Sequence, residues 1–255
     1  MDQKQAVRIL QFTDPHLFAD ANGELKEVNT FASLQAVVKH ARVRSRSPHL
    51  TLLTGDLAQD KSERAYQRLR QVFADSDSPV GCLPGNHDDK TRMRELLGDP
   101  PFQYCGGFRL ADWRIVLLDT SVPGMVGGRL DETELSILEN TLNTMDERFA
   151  LICVHHQPIP IGSRWLDAIG LENSEAFLDV IKPFESVRGV LWGHVHQEFD
   201  KTVDGVRFMS SPSTCAQFMP NTRDFTLDTA DPGYRWLELS ADGGIDTGVV
   251  RVTCS

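Results

Sequence analysis

One pattern constrains this chain more than any other. Short apolar runs break off, again and again, into polar residues that can hold a metal. Val7–Thr13 (VRILQFT) leads into Asp14-Pro15-His16, and Leu50–Thr54 (LTLLT) into Gly55-Asp56. Pro79–Leu83 leads into Pro84-Gly85-Asn86-His87-Asp88, Phe149–Val154 (FALICV) into His155-His156, and Val187–Trp192 into Gly193-His194-Val195-His196. Runs this short, apolar and bounded by turn residues, read as buried parallel strands. Helical spacing falls between them. Thr30 to about Ser45 aligns Phe31, Leu34, Val37, Val38 and Ala41; Lys61–Ala74 aligns Tyr66, Leu69 and Phe73. Glu132 to about Met145 aligns Leu135, Leu138 and Leu142, Asn173–Ile181 is a further helix, and Trp113–Leu118 a further strand. The alternation predicts an α/β fold with parallel neighbours. From Phe199 onward DGVRF, YRWLEL and VVRVT predict a β-rich C-terminal part. With no repeat, low-complexity stretch or linker in view, the expectation is a single domain over residues 1–255.

In open α/β sheets ligands collect beyond the carboxyl ends of the strands, so these clusters are expected to converge. The pooled inventory is two aspartates, an asparagine and several histidines, without thiolate. Such donors suit Mn, Fe, Zn, Co or Ni. They are more than one ion needs. Two ions sharing a carboxylate would use them, and such a pair can clamp both the attacking and leaving oxygens of a phosphoryl displacement. The formal net charge of −10 fits this. An acidic chain that handles an anion needs local positive charge, which bound metal supplies, and the balance argues against nucleic-acid or anionic-membrane partners. No apolar run approaches a membrane span, and the start, MDQKQAVRILQF, lacks the apolar stretch of a secretory leader. The five cysteines are scattered and form no CxxC pair, with Cys82 and Cys153 inside apolar runs, so a reducing cytoplasm is expected.

Each motif alone also has a plainer reading. CLPGNHDD (Cys82–Asp89) reads as a solvated turn, and Gly55-Asp56 as an ordinary loop. Asp14-x-His16 alternates on an extended segment, which would point both side chains one way. Of the adjacent His155 and His156, one is expected to face inward; His155, first off the strand, is preferred. Gly193-His194-Val195-His196 forms a two-imidazole clip. The clusters gain weight from appearing together at successive strand ends.

The ordered set DxH…GD…GNHD…H…GHxH, over residues 8 to about 197, resembles the calcineurin-like metallophosphoesterases. ILQFTDPHLF, TGDLAQD, LPGNHD, the WLD of Trp165–Asp167, GHVHQE, PSTCAQF and FTLDT…PGYRWLEL look more narrowly like bacterial 3′,5′-cyclic AMP phosphodiesterases, and extend the match nearly to the C-terminus. The resemblance implies a four-layer αββα sandwich with a core at about 7–198. Residues from about 199 would complete the second sheet, cover the site, or do both. It assigns Asp14, His16 and His196 to a first metal, Asn86, His155 and His194 to a second, and Asp56 to a bridge between them. Iron and manganese are placed ahead of zinc. His87, with Asn86 and Asp56, would be catalytic, and Asp88 would orient a neighbouring group. The implied reaction is hydrolysis of 3′,5′-cyclic AMP to 5′-AMP by a hydroxide bridging the two ions. A broader phosphoesterase acting on glycerophosphodiesters, 2′,3′-cyclic nucleotides or phosphomonoesters is the alternative, and a non-catalytic scaffold of the same fold the third reading. A homodimer is compatible with either enzyme. Trp165 and Phe218 are candidates to contact base or ribose, set against the simpler role of packing a loop and a core. Arg109, Arg129, Arg164 and Arg223 could reach phosphate, or lie on solvated surface. Two positions depart from the family pattern: Pro15, where Thr or Ser is more usual, and Gln157, where His or Pro often stands.

Overall fold

The computed structural model describes residues 6–44 and 47–254. The expected end of the first helix at Ser45, and the opening residues 1–5, lie outside that range. Two six-stranded sheets dominate. The first runs, in spatial order, Ile245–Arg251, Gly233–Leu239, Val7–Phe12, Leu50–Thr54, Val80–Leu83 and Phe102–Tyr104. Its last four strands are parallel, and the two C-terminal strands join antiparallel. The second sheet runs Phe199–Val203, Val206–Ser210, Val187–Trp192, Phe149–Cys153, Trp113–Leu117 and Gly106–Leu110. There the four inner strands are parallel and the outermost on each side antiparallel. The segment from Phe199 on therefore divides between both sheets.

Strand alternation sorts the apolar residues into three cores. Val7, Ile9, Leu50 and Leu52 face Trp113, Ile115, Leu151 and Leu191 across the gap between the sheets. Leu10, Phe12, Leu53, Val80 and Cys82 point the other way, onto the helices Thr30–Arg44 and Glu63–Phe73 through Leu34, Val37, Tyr66, Leu69 and Phe73. On the far side Val116, Ile152, Val190 and Trp192 cover the helices Glu132–Thr144 and Ser174–Ile181 through Leu138, Leu142, Phe177 and Ile181. Three cores between four layers make the αββα sandwich. Since the inner strands are buried on both faces, they read as continuous apolar runs, and this is why the sequence shows them clearly.

The elements not anticipated are those without such burial. Phe199–Val203 and Gly106–Leu110 are largely solvent-facing edge strands, and Phe102–Tyr104 and the helix Lys90–Leu96 are short. Among the described residues no helix is long and apolar enough to cross a membrane.

Candidate metal centre

The five parallel strands that carry the polar clusters end on one edge of the sandwich, and the loops beyond them meet there. Their backbones are not extended. Asp14 (φ 52°), His16 (φ 47°), Asp56 (φ 51°), His194 (φ 65°) and His196 (φ 49°) all occupy the left-handed region. The expectation that Asp14 and His16 alternate on a strand is thus corrected: the strand stops at Phe12. What aims both side chains inward is a pair of single left-handed residues, a conformation that Asp and His tolerate better than most and that concentrates at functional sites. The Asp14 and Asp56 loops run side by side, with Asp14 N donating to Gly55 O (3.1 Å) and His16 N to Asp56 O (3.0 Å). Two glycines permit the closeness. A Cβ on Gly193 would lie 2.1 Å from Thr13 Oγ1, and one on Gly85 2.1 Å from Asp56 Oδ1.

Asp14, His16, Asp56, His155, His194 and His196 are all buried at this edge. Ligand-capable atoms of Asp14, His16 and His196 lie within 4.8 Å of one another, as do those of Asp14, Asp56 and His155. His196 Nε2 is 3.4 Å from Asp14 Oδ1, His155 Nε2 3.4 Å from Asp56 Oδ2, and His16 Nε2 3.1 Å from His196 Nε2. The opposite ring nitrogens are tied down. His155 Nδ1 lies 2.8 Å from Thr54 O, His196 Nδ1 2.7 Å from Ala216 O, and His16 Nδ1 2.7 Å from Gln59 Oε1. Each oxygen accepts only, so each Nδ1 carries a proton, and each Nε2 is the nitrogen left facing inward, able to offer its lone pair to a cation. Lone pairs of His16 and His196 facing at 3.1 Å call for a cation between them. Asn86 Oδ1, His155 Nε2 and His194 Nε2 are buried without a hydrogen-bond partner. Unpaired buried polar atoms are costly; two imidazoles with centroids 5.1 Å apart, and an amide oxygen from the residue before His87, whose N–H donates to Asp56, fit a second cation. The donor set of carboxylate, amide oxygen and imidazole therefore fits a dimetal centre.

Charge agrees with geometry. Burial alone would raise both carboxyls, but His196 facing Asp14 and His155 facing Asp56 outweigh it and hold both acids below the ordinary carboxylate range. Burial pushes His16 down to about 4. It would also depress His155, but Asp56 and Asp14 override it and raise that imidazole to about 9. The carboxylates attract positive charge, from a proton if from nothing else.

The run Asn86-His87-Asp88-Asp89 divides its work residue by residue. Asn86 buries its side-chain oxygen without a hydrogen-bond partner. His87 donates its backbone N–H to Asp56 Oδ1 (2.8 Å) and sets its half-buried ring edge-on to His16, with centroids 5.1 Å apart. Asp88 accepts from Leu57 N (3.1 Å), Ala58 N (3.0 Å), Gly85 N (2.9 Å) and the Tyr66 hydroxyl (3.0 Å), knotting the Asp56 loop to the Asn86 loop. Asp89 caps the helix Lys90–Leu96 by accepting from Thr91 N and Arg92 N. His156 differs from His155 in having both nitrogens occupied, by the Thr120 hydroxyl (2.8 Å) and Val126 O (3.0 Å).

Several contributors escaped the sequence reading. Thr13 donates its hydroxyl to Asp14 Oδ2 (2.6 Å), providing beside the carboxylate the hydroxyl that Pro15 cannot. Gln59, Tyr66 and Thr120 act through long-range hydrogen bonds that no local spacing announces. Gln157 turns away from the centre and donates to Leu166 O (2.7 Å). Trp165 and Phe218 do come to the rim: Phe218 stacks on the His196 ring (4.1 Å, 6°), and Trp165 packs against Phe218 (5.3 Å). The arginines are engaged elsewhere or not gathered in. Arg109 pairs with Glu147 (3.2 Å) and Arg129 with Glu172 (3.2 Å), while Arg164 and Arg223 are exposed.

Comparison with known proteins agrees with this geometry. The profile for calcineurin-like phosphoesterase matches residues 7–198. The chain is 42% identical to the 3′,5′-cyclic adenosine monophosphate phosphodiesterase CpdA of Pseudomonas aeruginosa, over 97% of this chain and 90% of that protein. Against CpdA of Escherichia coli K12 the figures are 43%, 96% and 90%. It is 34% identical to the 3′,5′-cyclic-nucleotide phosphodiesterase alr5338 of Nostoc, over 100% of this chain and 96% of that one. A dimetal phosphatase from Danio rerio superposes with a TM-score of 0.67 at 17% identity, covering 98% of this chain and 100% of that one, a likeness of fold. With the profile matched across residues 7–198 and relatives 34–43% identical over nearly the whole chain, the chain belongs to the calcineurin-like phosphoesterase family.

Proposed function

We propose that this protein hydrolyses 3′,5′-cyclic AMP to 5′-AMP at the buried centre. The observation that carries the reading is the set of unpartnered buried atoms on Asn86, His155 and His194, together with the clustering of Asp14 with His16 and His196 and with Asp56 and His155. In this reading Asp14, His16 and His196 would hold one ion, Asn86, His155 and His194 would hold the other, and Asp56 would serve both. His155 is preferred to His156 because its Nε2 is free while both nitrogens of His156 are taken. Iron or manganese is the favoured occupant, with zinc chemically compatible. When bound, such a pair supplies positive charge against the phosphoryl oxygens and makes water acidic enough to lose a proton near neutral pH. The chain's own groups do the rest. Asn86 and His87 face the phosphate and stabilise charge on its oxygens. Water forms the new bond to phosphorus, the bond to the 3′-oxygen breaks, and His87 delivers a proton to that oxygen. The relatives, named as 3′,5′-cyclic nucleotide phosphodiesterases, support the cyclic nucleotide as substrate. The reading extends to one functional unit over residues 1–255, and the free cysteines support a cytoplasmic setting.

The test is turnover after chelation and readdition of single metals, against cyclic AMP, cyclic GMP, 2′,3′-cyclic AMP, bis-p-nitrophenyl phosphate and p-nitrophenyl phosphate. Cyclic AMP is expected to lead once manganese or iron is restored. A monoester or a 2′,3′-cyclic substrate turned over faster would replace this assignment with the broader phosphoesterase.

A further inference from the structure

Beside the centre, the hairpin built on Gln217–Phe218 and Leu227–Asp228 carries an aromatic at its tip. Phe218 is the base of a stack: one neighbour is the His196 ring at 4.1 Å, another Phe225 at 5.3 Å, ring edge to ring face. Trp165 closes the triangle against both phenylalanines, at 5.3 and 5.2 Å. The three rings differ in exposure. Trp165 and Phe218 are part-buried against the second sheet's outer core, whereas Phe225 is 46% exposed. A core aromatic would not be left open in this way. Phe225 thus stands two ring contacts, of 4.1 and 5.3 Å, from a proposed metal ligand.

The platform is held rigid. Trp165 Nε1 donates to Thr222 Oγ1 (3.3 Å), Arg164 N to Thr222 O (3.0 Å), and Asn221 N to Ser163 Oγ (3.1 Å). Gln197, next to His196, donates to both Ser163 Oγ and Met219 O. The hairpin is therefore cross-tied to the metal-site loop rather than hanging free. From the opposite side the hairpin Glu24–Leu25/Val28–Asn29 extends Lys26, whose ammonium sits 5.1 Å over the Phe225 ring. An exposed cation–π contact is weak, and a stacked base is the stronger occupant.

Resting on the cyclic nucleotide reading above, we propose that Phe225 is the platform on which the substrate's base stacks, with Lys26 yielding its place over the ring. Trp165 and Phe218, the aromatics that sequence singles out, then serve as the buttress under Phe225 instead of touching the base.

The experiment uses the manganese-loaded full chain. Kinetics are read with cyclic AMP and with its abasic analogue, ribose 3′,5′-cyclic phosphate, in wild type, Phe225→Ala and Phe225→Trp. Binding of 5′-AMP and of ribose 5-phosphate is read in the same proteins by Trp fluorescence. Phe225→Ala is expected to raise KM for cyclic AMP roughly tenfold, the loss of one stacking contact, with kcat/KM for the abasic analogue unchanged. Phe225→Trp is expected to restore the KM. Equal losses on both cyclic substrates, or unchanged cyclic AMP kinetics in Phe225→Ala, would overturn the platform. If wild type does not turn over cyclic AMP, the reading of function fails by itself. The platform is then judged on binding: 5′-AMP held no tighter than ribose 5-phosphate overturns it, while a preference for 5′-AMP that Phe225→Ala abolishes supports it.

Discussion

The two sheets contribute unlike walls to the centre. The first supplies both carboxylates and the amide, with a single imidazole: Asp14, His16, Asp56 and Asn86. The second supplies imidazoles alone: His155, His194 and His196. The walls are also held differently. The first is knotted to itself, with Asp88 gathering the backbone N–H groups of Leu57, Ala58 and Gly85. The second is fixed from outside. His155 is tied to Thr54 O on the first sheet, and His194 donates its backbone N–H to the Asp14 carboxylate (3.0 Å). An acidic, self-supporting wall thus helps to orient a wall made of imidazoles alone. The centre exists only once the sheets have packed.

Removing the shared acid should break this relation most completely. Asp56→Ala is expected to lower turnover on the order of a thousandfold or more and to lose metal with it, read by kinetics and metal analysis on one preparation. Wild-type activity in a metal-replete Asp56→Ala enzyme would contradict the bridge. Next comes occupancy. Stripping metal should lower Tm, and readdition at about a thousand times Kd should restore about 4 kcal/mol. Third, Gly193→Ala forces a methyl onto Thr13 and Asp14 where the walls meet; about 1–3 kcal/mol of destabilisation is expected, read by denaturant unfolding. The histidine pair sharpens the contrast further. His155→Asn should empty a metal position, whereas His156→Asn should keep both ions and cost about 1–2 kcal/mol through the unpaired Thr120 and Val126 groups. The smallest effect is a proton count. Because His155 is raised to about 9 in the metal-free centre, it is charged at pH 7.5 and must shed its proton to become a ligand. Metal uptake at pH 7.5 should release that proton and above about pH 9 should not, measurable by calorimetry in buffers of different ionisation heat.

Much of this was legible beforehand, for an identifiable reason. Inner parallel strands are buried on both faces, so Leu50–Thr54 and Val187–Trp192 show themselves as apolar runs, and the ligand-capable residues stand directly at their ends. Edge strands such as Gly106–Leu110 and Phe199–Val203 have no such signature, since pairing and not burial defines them. Spacing by two looks alike in a strand and in two left-handed residues, so nothing in the sequence distinguishes the turned backbone at Asp14 and His16 from an extended one. The exposure of Phe225 left no signal, because an aromatic in a loop reads the same whether covered or open.

The sequence by itself determined the fold class and the chemical inventory of the centre, since apolar pattern and donor type are properties of single residues and their near neighbours. Tertiary structure decided which imidazole nitrogens remain free, which carboxylate knots the backbone and which aromatic faces solvent. Those depend on partners such as Thr54 for His155 and Thr120 for His156, tens of residues away in the chain. They become neighbours only when two sheets close on each other.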